Sequence, residues 1–88
     1  MSTRRKIYSE DLLFDGLVPE EGHPSRILPQ KHLIHVSQIT RIALGMERKN
    51  TTLVFLAGEE YPITADCEFE TFSALLLEAR QNQIRNSL

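Results

Sequence analysis

The residues of this chain that could do chemistry begin with its three histidines and its one cysteine. Lys31-His32-Leu33-Ile34-His35 contains a His-x-x-His, and His23 and Cys67 could join it as imidazole and thiolate donors to a metal. The segment reads as a strand, however. That points His32 and His35 to opposite faces, and no cysteine pair or acidic cluster completes a coordination shell. The expectation is histidines at the surface or satisfied internally, with no metal and no cofactor. Cys67 stands near a helix start, where the helix N-terminus favours thiolate, but Glu68 and Glu70 oppose that charge. A small apolar side chain at a helix–sheet junction is the simpler reading. The sequence has no Gly-x-Ser-x-Gly and no glycine-rich phosphate loop, and its acid pairs Glu20-Glu21 and Glu59-Glu60 fall in a linker and a hairpin tip. The chain is not expected to be an enzyme.

Two basic groups could meet phosphate: Arg4-Arg5-Lys6, and Arg41 with Arg48 and Lys49. The aromatics Phe55, Phe69 and Phe72 read as core and do not interleave with these groups as stacking platforms would. Glu10-Asp11-Leu12-Leu13-Phe14-Asp15 offers a different chemistry, three adjacent apolar residues flanked by acids and able to enter a groove on another protein. It resembles bacterial sliding-clamp-binding peptides, which end in Leu-Phe, although it lacks their glutamine. The competing expectation is that Leu12, Leu13 and Phe14 fold back over Leu53 and Phe55.

The elements that must position these residues are those of a single small domain. The 88 residues are 41% hydrophobic and 25% charged with a net charge of −2, which gives no global pull toward nucleic acid or anionic membrane. A chain this short buries only roughly 60–65% of its unfolded surface, so a partner would help it. One cysteine permits no internal disulfide, no segment approaches a membrane span, and Met1 to Lys6 is not followed by the apolar run of a signal peptide. A cytoplasmic location is expected.

Residues 1 to 8 read as a loose terminus. Ser9 to Gly16 reads as a short helix with a serine cap, early acids and a terminating glycine. Residues 17 to 30, with Pro19, Pro24 and Pro29, read as a proline-rich tether, so 1–30 is expected to be an N-terminal extension and 31–88 the folded body. Within the body, a short strand should end near Val36 and an irregularity fall at Ser37-Gln38. Ile39 to Leu44 follows, where the β-branched residues favour strand while Ile39, Ile42, Ala43 and Met46 also fit a helix.

The most legible stretch is Thr51 to Ile63, a hairpin around Ala57 to Glu60 in which Leu56 faces Tyr61 and Val54 faces Ile63. Pro62 makes its second strand an edge, or breaks it. Val54, Leu56, Tyr61 and Ile63 share one face, and Leu53 and Phe55 make the other face of the first strand apolar too, so one covering helix leaves one side wet. That helix should be C-terminal, capped by Thr64 or Asp66, with Phe69, Phe72, Leu76, Ala79 and Gln83 on one stripe. The expected class is α+β, a small antiparallel β-meander of three to four strands packed by a C-terminal helix.

From His32 to about Leu77, the run Leu33 to Ile42, then Asn50 to Ile63, then a helix resembles the small bacterial FlbD-type flagellar proteins. It is also similar to the strand section of LytTR DNA-binding domains. It departs from LytTR in ending before that family's basic His-Arg segment and final strands, and from FlbD in its N-terminal extension. The resemblance implies a bacterial or phage-type regulatory module. The expected function is a non-enzymatic regulatory or adaptor protein acting by protein–protein binding. It should self-associate as a dimer, with Leu12, Leu13, Phe14, Leu53 and Phe55 as partner-binding residues. The alternative is a small nucleic-acid-binding transcriptional regulator using Arg41, Arg48 and Lys49.

Overall fold

The computed structural model describes residues 8–88, so Arg4, Arg5 and Lys6 lie outside the described residues. Asp11–Glu20, read as helix and tether, is strand β1, and His23–His35 is strand β2, which runs unbroken across residues 30 and 31. The reason is alternation: Leu12, Phe14 and Gly16 are buried while Asp11, Leu13 and Asp15 are exposed, a period of two that a helix cannot serve. A helix of one and a half turns would leave most of its polar backbone unpaired, whereas β1 pairs with β2 over its whole length.

The prolines are tolerated because of where their missing donors point. Val36 N–H donates to Glu10 O at 2.9 Å. In this register the even-numbered residues of β2 therefore turn their backbone groups into β1, and the odd ones, Pro29 included, turn theirs to solvent. Asp66 N–H donates to Asp15 O at 2.8 Å, so the odd residues of β1 face the next strand. Continuing that register from Gly16↔Ala65 sets Pro19 against Pro62, and neither has an N–H to give. Pairing stops there and the end of the β1–β2 hairpin leaves the body. The turn Glu21-Gly22, with Gly22 at φ 81°, closes it, and the molecule is drawn out to 55 × 25 × 20 Å.

Strands β3 (Ile39–Leu44), β4 (Thr52–Leu56) and β5 (Ile63–Ala65) form the meander, and helix α1 (Phe69–Asn86) follows. Val54 does pair with Ile63 as expected, and a 3-10 turn at Val36–Gln38 occupies the expected irregularity. Among the described residues the sheet has five strands in the order β2-β1-β5-β4-β3, not three to four, because the supposed tether supplies two. β5 is interior, not an edge, with Pro62 just outside its ladder and Tyr61 exposed. The residues Val36–Gln38 carry the chain from one edge strand to the other. That connection spans at most about 14 Å, while a flat sheet of this size measures about 19 Å across, so the sheet curls.

The core lies on one face, where Leu12, Phe14, Ile34, Val36, Ile39, Val54 and Ala65 meet Phe72, Leu76 and Ala79 of α1. Phe72 is central, edge-on to Phe14 with ring centroids 5.1 Å apart. Phe69 and Gln83 are only half-buried, and Asn82 takes the buried place expected of Gln83, donating to Ser9 O at 2.8 Å. Asn86 donates to Tyr8 O and to the buried Glu10 carboxylate, each at 2.8 Å, and so ties the strand entrance to the helix end. The N-cap is Glu68 without a side-chain hydrogen bond, because Thr64 belongs to β5 and cannot reach that position.

Candidate protein-binding face

Alternation along each strand sends the second set of side chains to the face without a helix. The cross-strand pairs Leu13↔Leu33, Leu17↔Pro29, Pro19↔Ile27, Leu53↔Ala43, Leu53↔Thr64 and Arg41↔Phe55 all lie there. Leu13 and Leu33 are 62% and 67% exposed, while Leu53 and Phe55 are half-buried. Leu12 and Phe14 point the other way into the core, so of that apolar trio only Leu13 is presented to solvent. None of the three folds over Leu53 or Phe55, since all belong to one sheet.

A groove of about 410 Å3 indents this face, floored by Leu17, Pro19, Ile27 and Leu53 and rimmed by the loop Gly45 to Arg48. The loop is held by Gly45 N–H donating to Thr51 O at 3.0 Å and by the buried Thr51 hydroxyl donating to Arg48 O at 2.8 Å. Met46, 88% exposed, stands on the rim beside Glu47 and Arg48. At the far side, the Arg41 guanidinium lies 4.0 Å from the centre of the Phe55 ring and shields it. Arg48 thus lines the groove, Lys49 is exposed in the turn beyond it, and Arg41 is spent on an aromatic face.

The histidines are not brought together. His32 faces the core side and stacks on Phe14 at 5.5 Å, its Nε2 buried with no hydrogen-bond partner among the described residues. His35 alternates with it along β2, but its ring comes back to the buried Glu10: Nδ1 accepts from Ser37 N–H at 3.1 Å and Nε2 lies 3.0 Å from Glu10 Oε1, the carboxylate that Asn86 of α1 also holds. His23 is at the hairpin tip. Among the described residues no group of three or more His, Cys, Asp or Glu is placed to hold a metal ion. Nor is any helix there long and apolar enough to cross a membrane.

Cys67 is half-buried against the core at the β5–α1 junction, where its carbonyl accepts from Thr52 Oγ1 at 2.8 Å. Burial first, then the carboxylates of Glu68 and Asp66, push its thiol up from the ordinary value. The thiolate fraction at neutral pH is accordingly smaller than in a free thiol. Alkylation by iodoacetamide at pH 8 is expected to run several-fold slower than for glutathione, and the variant D66N/E68Q should recover part of the difference. Alkylation as fast as glutathione's would contradict this.

Leu17, Pro19 and Ile27, which build the groove floor, lie in the stretch read as tether. The signal for them was the alternation Leu12, Phe14, Gly16, Val18, masked by the prolines beside it. Comparison with family models, with curated proteins and with solved structures finds no match to this chain.

Proposed function

We propose that this protein is a non-enzymatic adaptor or regulatory protein that receives a segment of another protein on the helix-free face of its sheet. One observation carries the reading: α1 covers one apolar face, and the chain leaves the second open, with Leu17, Pro19, Ile27 and Leu53 at the floor of a groove that Thr51 and Thr64 also line and whose rim carries Glu47 and Arg48. An apolar floor with a charged rim excludes water from bound side chains and orients the partner at the edge. The resemblance of residues 32 to 77 to FlbD-type proteins points the same way, toward regulation.

The test is capture of partners from a cell extract by Leu53→Glu beside Leu77→Glu, which places the same charge on the outer side of α1, where Leu77 is 56% exposed. Both variants should fold with stability within about 1 kcal/mol of the parent, since neither site is in the core. Leu53→Glu should reduce capture at least roughly tenfold, and Leu77→Glu should leave it intact. Equal capture by both variants would end the proposal.

A second reading, nucleic-acid binding, is favoured by one observation, that Arg41 and Arg48 stand on the same face. Its test is a salt titration of binding to DNA and RNA, because phosphate contacts weaken steeply with ionic strength.

A further inference from the structure

Among the described residues β2 is an outer strand of the sheet, and no strand pairs with its outer side, where a short window is bounded at both ends. Gln30, His32 and Ile34 turn their backbone groups into β1, whereas Lys31, Leu33 and His35 turn theirs outward. Pro29 has no N–H and closes the outward row at one end. The 3-10 turn that begins at Val36 closes it at the other. What remains is three residues centred on Leu33.

This window fits a second copy of itself in one register only. An antiparallel strand that uses every outward group on both copies must set Leu33 opposite Leu33 of the second copy and Lys31 opposite its His35. A slip of two residues in one direction brings Pro29 into the ladder, and in the other runs past the end of the strand.

The side chains match in that same register. On the helix-free face, Leu13 and Leu33 of one copy align with Leu33 and Leu13 of the second, making one apolar row of side chains that are 62% and 67% exposed in the single chain. On each flank Lys31, beside Asp15 of its own copy, stands opposite the backbone of His35 of the second copy, whose ring is held by Glu10. Lys31 already reaches Asp15 at 3.4 Å within one chain.

We propose that two copies of this protein join antiparallel along their β2 edges, about a two-fold axis at Leu33, fusing two five-stranded sheets into one. The interface is isologous and therefore closes at a dimer, and it removes from solvent the stretch of this edge between Pro29 and the 3-10 turn. It is separate from the groove over Leu53, so the adaptor reading and this one can fail independently.

Sedimentation of the purified full chain across the micromolar to near-millimolar range should show a dimer and nothing larger. Leu33→Pro removes only an outward N–H, as Pro29 does naturally. It should therefore weaken the dimer roughly thirtyfold, about fivefold for each of two lost backbone bonds, with circular dichroism unchanged. In case that variant fails to fold, Leu33→Cys in a Cys67→Ser background gives a second reading. Directly opposed hydrogen-bonded residues hold their Cα atoms about 5.5 Å apart, which a disulfide spans, so mild oxidation should yield a covalent dimer. Leu44→Cys, equally exposed on β3, should not cross-link. Three results would each overturn the proposal: a parent protein that stays monomeric throughout, assemblies beyond the dimer from pairing of β2 with β3, or a dimer in which the L33C thiols do not join. A dimer that persists in Leu53→Glu and dissociates in Leu33→Pro supports it.

Discussion

Phe72→Ala is expected to cost about 3–5 kcal/mol, the range for an aromatic removed from a packed core. Phe72 is completely buried, meets Phe14 edge-on, and stands where α1 presses on β1 and the curled sheet. Its loss removes the helix's main anchor and leaves a cavity that the strands cannot fill, because β1 is held by ladders on both sides. A chain of 88 residues has roughly 4–13 kcal/mol of stability in all, so this one change consumes a large part of it. Urea unfolding measures it: with m about 1–1.5 kcal/mol/M, the midpoint should fall by at least roughly 2 M. Leu77→Ala, on the same helix but facing solvent, should move the midpoint by a small fraction of that. Similar shifts for the two would mean that α1 does not dock as described.

Gly16→Ala is expected to cost roughly 1–3 kcal/mol, and here the sign is the informative part. Alanine normally improves a strand over glycine by about 0.5–1 kcal/mol through the unfolded chain's entropy. At Gly16 an added Cβ would lie 2.6 Å from His32 Cδ2 and Nε2 and 3.1 Å from Ile63 Cγ2. The ring cannot retreat into the core, because it stacks on Phe14, which is itself backed by Phe72. Gly16 is also the residue that bridges β1 to β5, so any shift there loosens the joint between the hairpin and the meander. In a His32→Ala background the same Gly16→Ala change should become neutral or stabilising, since the obstructing ring is gone. Thermal or urea unfolding of the four proteins in this cycle decides it, and a loss of equal size in both backgrounds would show that His32 is not the obstacle.

The residues that reported the fold correctly did so through local pattern. Val54 opposite Ile63, the strand at Ile39–Leu44 and the helical stripe Phe72, Leu76, Ala79 depend on periodicity within one or two neighbouring elements, and the structure keeps them. Leu53 and Phe55 were likewise legible as a second apolar face of β4 with no helix to cover it. Residues 9 to 30 misled for a definite reason. Pro19 and Pro29 break a strand only when a donor is needed at their position, and whether it is needed depends on which strand lies alongside, while Gly16 keeps its N–H and pairs on both sides. Pro29 faces solvent and Pro19 faces Pro62, facts that exist only once β1 has found both β2 and β5.

The candidate site divides along the same line. Alternation alone separated the Cβ directions of His32 and His35, because the direction of a side chain on a strand is set within two residues; that the His35 ring returns to Glu10 was not readable there. The groove needed long-range assembly: Leu17, Pro19 and Ile27 come from the hairpin, Leu53 from the meander, and Arg48 from a loop between β3 and β4. By itself the amino-acid sequence determined an α+β chain with a C-terminal helix and one strand apolar on both sides. Only the tertiary structure decided that Leu12 and Phe14 are core while Leu13 and Leu33 face water, because strand partners, not residue types, decide which way a backbone's unpaired groups and alternate side chains turn.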